Sequence, residues 1–217
     1  MKTLWIYGCS FSEPFGLVPE GLPTLNDIDK SRFFHGVEYW GTHLAKLLNV
    51  EIVNKSFPGV GWNYINNRID EDLIKWSKDD YIIINPSFFT RATFEELTKG
   101  LSMGDMAPLL KDSMEVSKFN ELRWKNKLET LIHLGYKNVY TWIIDQSTLA
   151  DSVNHLITTP SLQLNWKTWM DEHKEYWIDP TANPPHGDWH FNAQGHVEVA
   201  SRMYNFIIGN ANEHKES

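Results

Sequence analysis

The sequence predicts a single α/β domain built on a parallel sheet. Two patterns carry that expectation. Short apolar runs at residues 3–7, 50–54, 81–85 and 138–144 alternate with longer stretches whose apolar residues recur at helical spacing. This βαβα rhythm requires crossover connections, and therefore parallel strands with right-handed crossovers. Each of the first three runs also ends in a turn carrying polar or small residues: Gly8-Cys9-Ser10, Asn54 to Gly61, and Asn85. In an open α/β sheet, the carboxyl ends of the strands are where ligands bind.

The first strand, TLWIY at residues 3–7, runs into Gly8-Cys9-Ser10, a tight turn with a hydroxyl at its tip. Residues 11–37 hold three Pro and three Gly with no helical period. So long a loop is expected either to wall a pocket beginning at Ser10 or to pack on the surface through Phe33 and Phe34. Trp40, Leu44, Leu47 and Leu48 then mark one face of a first helix. VEIVN at 50–54 is the second strand, and the turn-forming KSFPGVG comes after it. Trp62, Ile65, Ile69, Leu73 and Trp76 continue as a second helix, and YIIIN at 81–85 is the third strand, stopped by Pro86-Ser87.

Residues 90–117, broken around Gly100, Gly104 and Pro108, are expected to be an insertion that lies as a lid on the side of the Ser10 turn. Trp124, Leu128, Leu131 and Ile132 form the stripe of a third helix, capped by Gly135. The fourth strand, 138–144, has Asp145 at its carboxyl end. Residues 146–175 are mixed, with a helix around Trp166, Trp169 and Met170, and YWID at 176–179 is read as the fifth strand. A Pro/Gly/Asn-rich loop precedes the last helix, which starts near Ala193 with Val197, Ala200, Tyr204, Ile207 and Ile208 on one face. Residues 1–210 thus form the domain, with 211–217 as a polar tail.

At 217 residues with 41% hydrophobic content, one such domain can bury a substantial core. A net charge of -8 argues against nucleic acid as a partner, because backbone phosphates call for a basic surface. The lone Cys9 rules out an internal disulfide framework. With no signal-like leader and no run of membrane-span length, a cytoplasmic protein is expected. Ten Trp suit a packed core and also platforms on which sugar rings stack.

The chemistry converges on few residues. A serine needs a base to take its proton, and histidine is the usual one. Asp188 and His190 are two apart, which in an extended loop puts them on one side and lets the carboxylate orient the imidazole. Taken alone, Ser10 can equally cap the segment after it, and Asp-x-His can be a solvated carboxylate beside a packed histidine. His186, Asp188 and His190 also have the donor types of a metal site, although no matching ligand set stands elsewhere in the sequence. The PGVGWNY turn has Tyr64 where a dinucleotide fingerprint needs its third glycine. Cys9 is the other candidate nucleophile, by adjacency alone.

Three segments, GCSFS at the first turn, NKSFPGVGWNYI after the second strand and GDWHFNAQGHVEVA before the last helix, resemble in order and spacing the first, second and last blocks of the SGNH hydrolases, the GDSL-type esterases and lipases. The resemblance implies a three-layer α/β/α sandwich with a flavodoxin-like parallel sheet of about five strands. It also implies ester hydrolysis through an acyl-enzyme without a cofactor. Ser10 falls on the nucleophile, His190 on the catalytic histidine and Gly59 on the oxyanion glycine, so that the N–H groups of Ser10 and Gly59 would hold the oxyanion.

The sequence departs from the pattern in three places. Cys9 stands where the family has an aspartate, and a small buried residue fits there. Gly187 occupies the usual position of the acid, leaving Asp188 to serve. The third block's Gly-x-Asn-Asp is absent, and either Asn85 or Ser87 would supply the third oxyanion donor. The implied substrate is a small-molecule or glycan ester. Phe, Leu and Met from the two long loops suit a short acyl chain, and Trp177 and Trp189 suit a sugar, which makes a carbohydrate O-acetyl ester the expected substrate. A sandwich that binds without turnover is the alternative, motivated by the altered blocks.

Overall fold

The computed structural model describes residues 2–9, 38–57, 61–85, 113–145, 161–165, 173–176 and 191–213. In chain order these form β1 (Thr3–Tyr7), α1 (Trp40–Leu48), β2 (Glu51–Asn54), α2 (Trp62–Asp72), β3 (Tyr81–Ile84), α3 (Ser113–His133), β4 (Val139–Asp145), β5 (Ser161–Asn165) and α4 (Ala193–Glu213). The five strands make one parallel sheet in the order β2-β1-β3-β4-β5. This is the doubly wound, flavodoxin-like order, in which the strand sequence reverses direction between β1 and β3.

Strand β1 sits between β2 and β3, with Ile6 opposite Asn54 on one side and Ile83 on the other. Covered on both faces, it is apolar from Leu4 onward, and Leu4, Ile6 and Tyr7 are fully buried. Side chains alternate across the sheet, so Ile6 meets α1, where the Gly41 backbone comes close to it, while Tyr7 meets α2 through Asp72. Helices α1 and α4 pack together on the first face, and α2 and α3 on the second. The molecule is therefore an α/β/α sandwich.

The structure corrects the expected elements in several places. The fifth strand of the sheet is Ser161–Asn165; Tyr176, expected to begin it, ends a single 3-10 turn at Lys174–Tyr176, and 177–179 lie outside the described residues. As the sheet's outer strand, SLQLN needs only two leucines, whereas the apolar YWI run has its Tyr176 carbonyl engaged by the Asn192 N–H at 2.9 Å. Helix α2 stops at Asp72 and tightens into a 3-10 turn at Leu73–Lys75, which lets Trp76 leave the helix axis and donate its indole N–H to Tyr7 Oη at 3.1 Å. Residues 113–117, expected within the lid, instead begin α3, and the remainder of that insertion, like the loop at 11–37 and the helix around Trp166, lies outside the described residues.

The buried helix stripes are also narrower than the apolar residues suggest. Leu47, Ile132, Val197 and Ile208 face solvent, while α4 buries the expected Ala200 and Ile207 together with His196, Val199 and Met203. Spacing identifies a helix but fixes the direction of its buried face only to within a residue or so.

Gly135 ends α3 as expected, with φ at +86° and its N–H donating to the Ile132 carbonyl at 2.8 Å. A Cβ there would meet no atom within 4 Å, so only backbone strain opposes a side chain. Gly135→Ala is expected to cost about 1 kcal/mol through the left-handed conformation alone. A lowered urea midpoint at unchanged m-value would register it, and an unchanged midpoint would contradict the capping role.

Candidate active site

At the carboxyl edge of the sheet, β1 stands between β2 and β3, at the switch point of the strand order. The chain leaving β2 continues the ladder past Asn54: Lys55 N–H donates to the Ile6 carbonyl at 2.8 Å, and Phe57 N–H to that of Gly8 at 3.0 Å. On the other side Asn85 N–H donates to the Tyr7 carbonyl at 2.8 Å. The Gly8-Cys9 turn is thus held from both flanks. Cys9 is 1% exposed and belongs to the core, which matches a small buried residue and removes the access that a nucleophile needs.

Helix α1 runs back from this edge to the opposite one, since its C-terminal Asn49 leads to Glu51, whose N–H donates to the Lys2 carbonyl at 3.2 Å. Its N-terminus therefore lies at the carboxyl edge. There, the Trp40 N–H donates to His196 Nδ1 at 3.2 Å, placing the first turn of α4 at the same edge. The bond requires His196 Nδ1 unprotonated, with the ring proton on Nε2. Asn192 caps α4 through Oδ1 to the Gly195 N–H at 2.9 Å, and Phe191 packs edge-on against the His196 ring, 5.7 Å between centroids. Gly195 lies close against the Tyr176 carbonyl oxygen, where a Cβ would collide with backbone.

Asn85 is the one expected site residue among those described, and it is 1% exposed at the end of β3. Ser10, Gly59, Ser87, Asp188 and His190 lie outside the described residues. Their chain neighbours are placed. Cys9 stands in the β1 turn, Phe57 and Gly61 bound the segment containing Gly59, and Phe191 begins the block after His190. All of these belong to the carboxyl edge. Among the described residues no group of three or more His, Cys, Asp or Glu could hold a metal ion, and the 186–190 cluster falls outside them.

Below the β1 turn is a buried polar cluster that sequence reasoning missed. Tyr7 donates its hydroxyl to Asp72 Oδ2 at 3.2 Å, and Asp72 is paired with Lys75 Nζ at 2.5 Å and approached by Lys55 Nζ at 4.0 Å. Burial, reinforced by the Asp72 charge, pushes the Tyr7 phenol far above the ordinary tyrosine range. It stays neutral at working pH and acts as a polar spacer between β1 and α2, not as an acid or base. The near-helical spacing of Asp72 and Lys75 was the only trace of it in the sequence.

No protein-family model matches the sequence, and no curated protein matches it. Solved structures do. A catalytic mutant of Axe2, an acetylxylan esterase from Geobacillus stearothermophilus, superposes with a TM-score of 0.54 at 13% identity, covering 95% of this chain and 94% of that one. A protein described as a GDSL-like lipase from Parabacteroides merdae gives 0.52 at 12% identity, covering 96% and 95%. The chain has the SGNH-hydrolase fold. Against one carbohydrate esterase the chain spans 65% of the solved length, with a TM-score of 0.49. At these identities the likeness concerns the fold. Among the described residues no helix is long and apolar enough to cross a membrane.

Proposed function

We propose that the protein is a serine ester hydrolase working through an acyl-enzyme at the carboxyl end of β1. The observation that carries this reading is the position of the Gly8-Cys9 turn. It sits at the β1/β3 reversal of an SGNH-fold sheet, bonded to the chain leading to Gly59 on one side and to Asn85 on the other.

In this reading the Ser10 hydroxyl attacks the ester carbonyl while His190 takes its proton, with Asp188 orienting the imidazole and stabilising its charged form. The N–H groups of Ser10 and Gly59 receive the oxyanion, and Asn85 or Ser87 supplies the third donor. His190 then protonates the leaving alcohol, and water, activated by the same histidine, releases the acid. A carbohydrate O-acetyl ester is the substrate class to test first. It is supported by the acetylxylan esterase among the fold neighbours and by Trp189, which stands between the proposed acid and base in sequence, with Trp177 earlier in the same stretch.

Treatment with a fluorophosphonate probe, then intact mass and peptide mapping, tests nucleophile activation without a known substrate. One adduct on Ser10 is expected. A folded protein that takes up no probe, or takes it up elsewhere, would remove the esterase reading in favour of a binding module.

A further inference from the structure

The chain from Tyr39 to Trp40 lies between two parts of the proposed site and is bonded to both. The Tyr39 hydroxyl accepts from Asn54 Nδ2 at 2.9 Å, and the same Asn54 accepts from the Ser56 N–H through Oδ1 at 2.8 Å. That second bond is an Asx turn, which fixes how the chain leaves β2 toward Gly59. One residue on, the Trp40 N–H is held by His196 at the head of α4, six residues after His190. A single dipeptide thus spans the chain that enters the oxyanion turn and the helix just beyond the catalytic base.

The Tyr39 ring is itself locked. It is 6% exposed, meets the Trp40 ring edge-on at 6.2 Å and lies over Gly41, where a Cβ would fall 2.5 Å from both Cε2 and the hydroxyl oxygen. The glycine makes room for the phenol, and the phenol aims Asn54. Burial pushes this hydroxyl well above the usual tyrosine range, more than the Asn54 bond lowers it, so it remains neutral. It offers Asn54 a neutral acceptor around neutral pH.

We infer that Tyr39 and Asn54 are positioning residues for the oxyanion turn, acting through the Ser56 N–H and touching no substrate. The inference rests on the esterase reading for its catalytic consequence, while its geometric part stands on the bonds alone. Tyr39→Phe keeps the ring and removes only the acceptor. Asn54→Ala removes both bonds, whereas Asn54→Asp keeps the Oδ1 acceptor for Ser56 and turns the second contact into a Tyr39 O–H donation.

Labelling of Ser10 by the fluorophosphonate, turnover of p-nitrophenyl acetate and exchange of the Ser56 amide by NMR separate the possibilities. Tyr39→Phe and Asn54→Ala are expected to slow labelling and kcat by about tenfold to a hundredfold, the scale of a misaligned rather than an absent donor, with KM little changed. Ser56 exchange should quicken in both, and Asn54→Asp should recover most of the rate lost in Asn54→Ala. A Tyr39→Phe variant with parental labelling and parental Ser56 exchange overturns the inference and leaves the esterase reading intact. A parent protein that never labels overturns the esterase reading, and with it the catalytic consequence. Faster Ser56 exchange in Tyr39→Phe would then still uphold the geometric part.

Discussion

Ser10→Ala is expected to lower ester hydrolysis by about 10⁴-fold or more and to abolish fluorophosphonate labelling, because no other group replaces a nucleophile whose oxyanion donors remain. The same variant weighs the two roles that the sequence allows for this hydroxyl. If Ser10 serves only as a cap, alanine should cost about 1 kcal/mol of stability and leave any activity untouched. If it serves as the nucleophile, the unfolding free energy should stay within about 0.5 kcal/mol of the parent while activity disappears. The described part of the turn has its own anchors. Gly8 is held by the Phe57 N–H, Tyr7 by the Asn85 N–H, and Cys9 by burial. Circular dichroism, urea titration and probe labelling on one preparation measure all three quantities, and parental turnover in Ser10→Ala would end the assignment.

How legible each element was in the sequence depends on how it is buried. Strands β1, β3 and β4 are inner strands of a parallel sheet, and each reads as a mostly apolar run, interrupted in β4 by the buried Thr141. Strand β5 is an outer strand paired only with β4, and SLQLN carries too little apolar signal to outweigh the aromatic run at 176–179. The strand ends were legible for a related reason. A buried strand must stop at a polar or small residue, and Gly8, Asn54 and Asn85 all mark the carboxyl edge.

Residue roles were assigned only where block order supplied them, as for Ser10, Gly59, Asp188 and His190, which lie outside the described residues. Links formed by folding left little trace. Nothing about Tyr39 in sequence points to Asn54, and His196 looks like any polar residue in a helix until α4 is laid against the start of α1. The Asx turn was the exception in principle, since asparagine at a strand end, two residues before a serine in a turn-forming segment, is its usual signature. A pattern that specifies local geometry can be read from one segment, but a bond between segments needs the topology first.

The largest stability effect is expected from such a bond between segments, at the opposite edge of the sheet. Asp80 is 3% exposed just ahead of β3, and its carboxylate accepts three hydrogen bonds, two from β1 and one from the turn before it. Oδ1 accepts from the Thr3 N–H at 2.9 Å, while Oδ2 accepts from Trp5 Nε1 at 3.0 Å and the Ser77 N–H at 2.9 Å. The Trp5 bond is fully buried, so removing its acceptor leaves an indole N–H that water cannot easily reach, whereas the two backbone donors are partly accessible. Asp80→Ala is therefore expected to cost about 3 kcal/mol, more than one orphaned donor and less than three. That is a large share of the roughly 5–15 kcal/mol that holds a domain of this kind folded. Asp80→Asn should lose less, since one oxygen still accepts while the amide must face a donor. Urea midpoints at constant m-value measure both, and a loss below about 1 kcal/mol for alanine would mean that water replaces the carboxylate. The folded fraction of Asp80→Ala should still label at Ser10 at the parental rate. Asp80 grips the start of β1, and at about 3.3 Å per residue the full length of that strand separates it from the turn. A slowed Ser10 in fully folded Asp80→Ala would mean instead that the strand transmits strain from one edge of the sheet to the other.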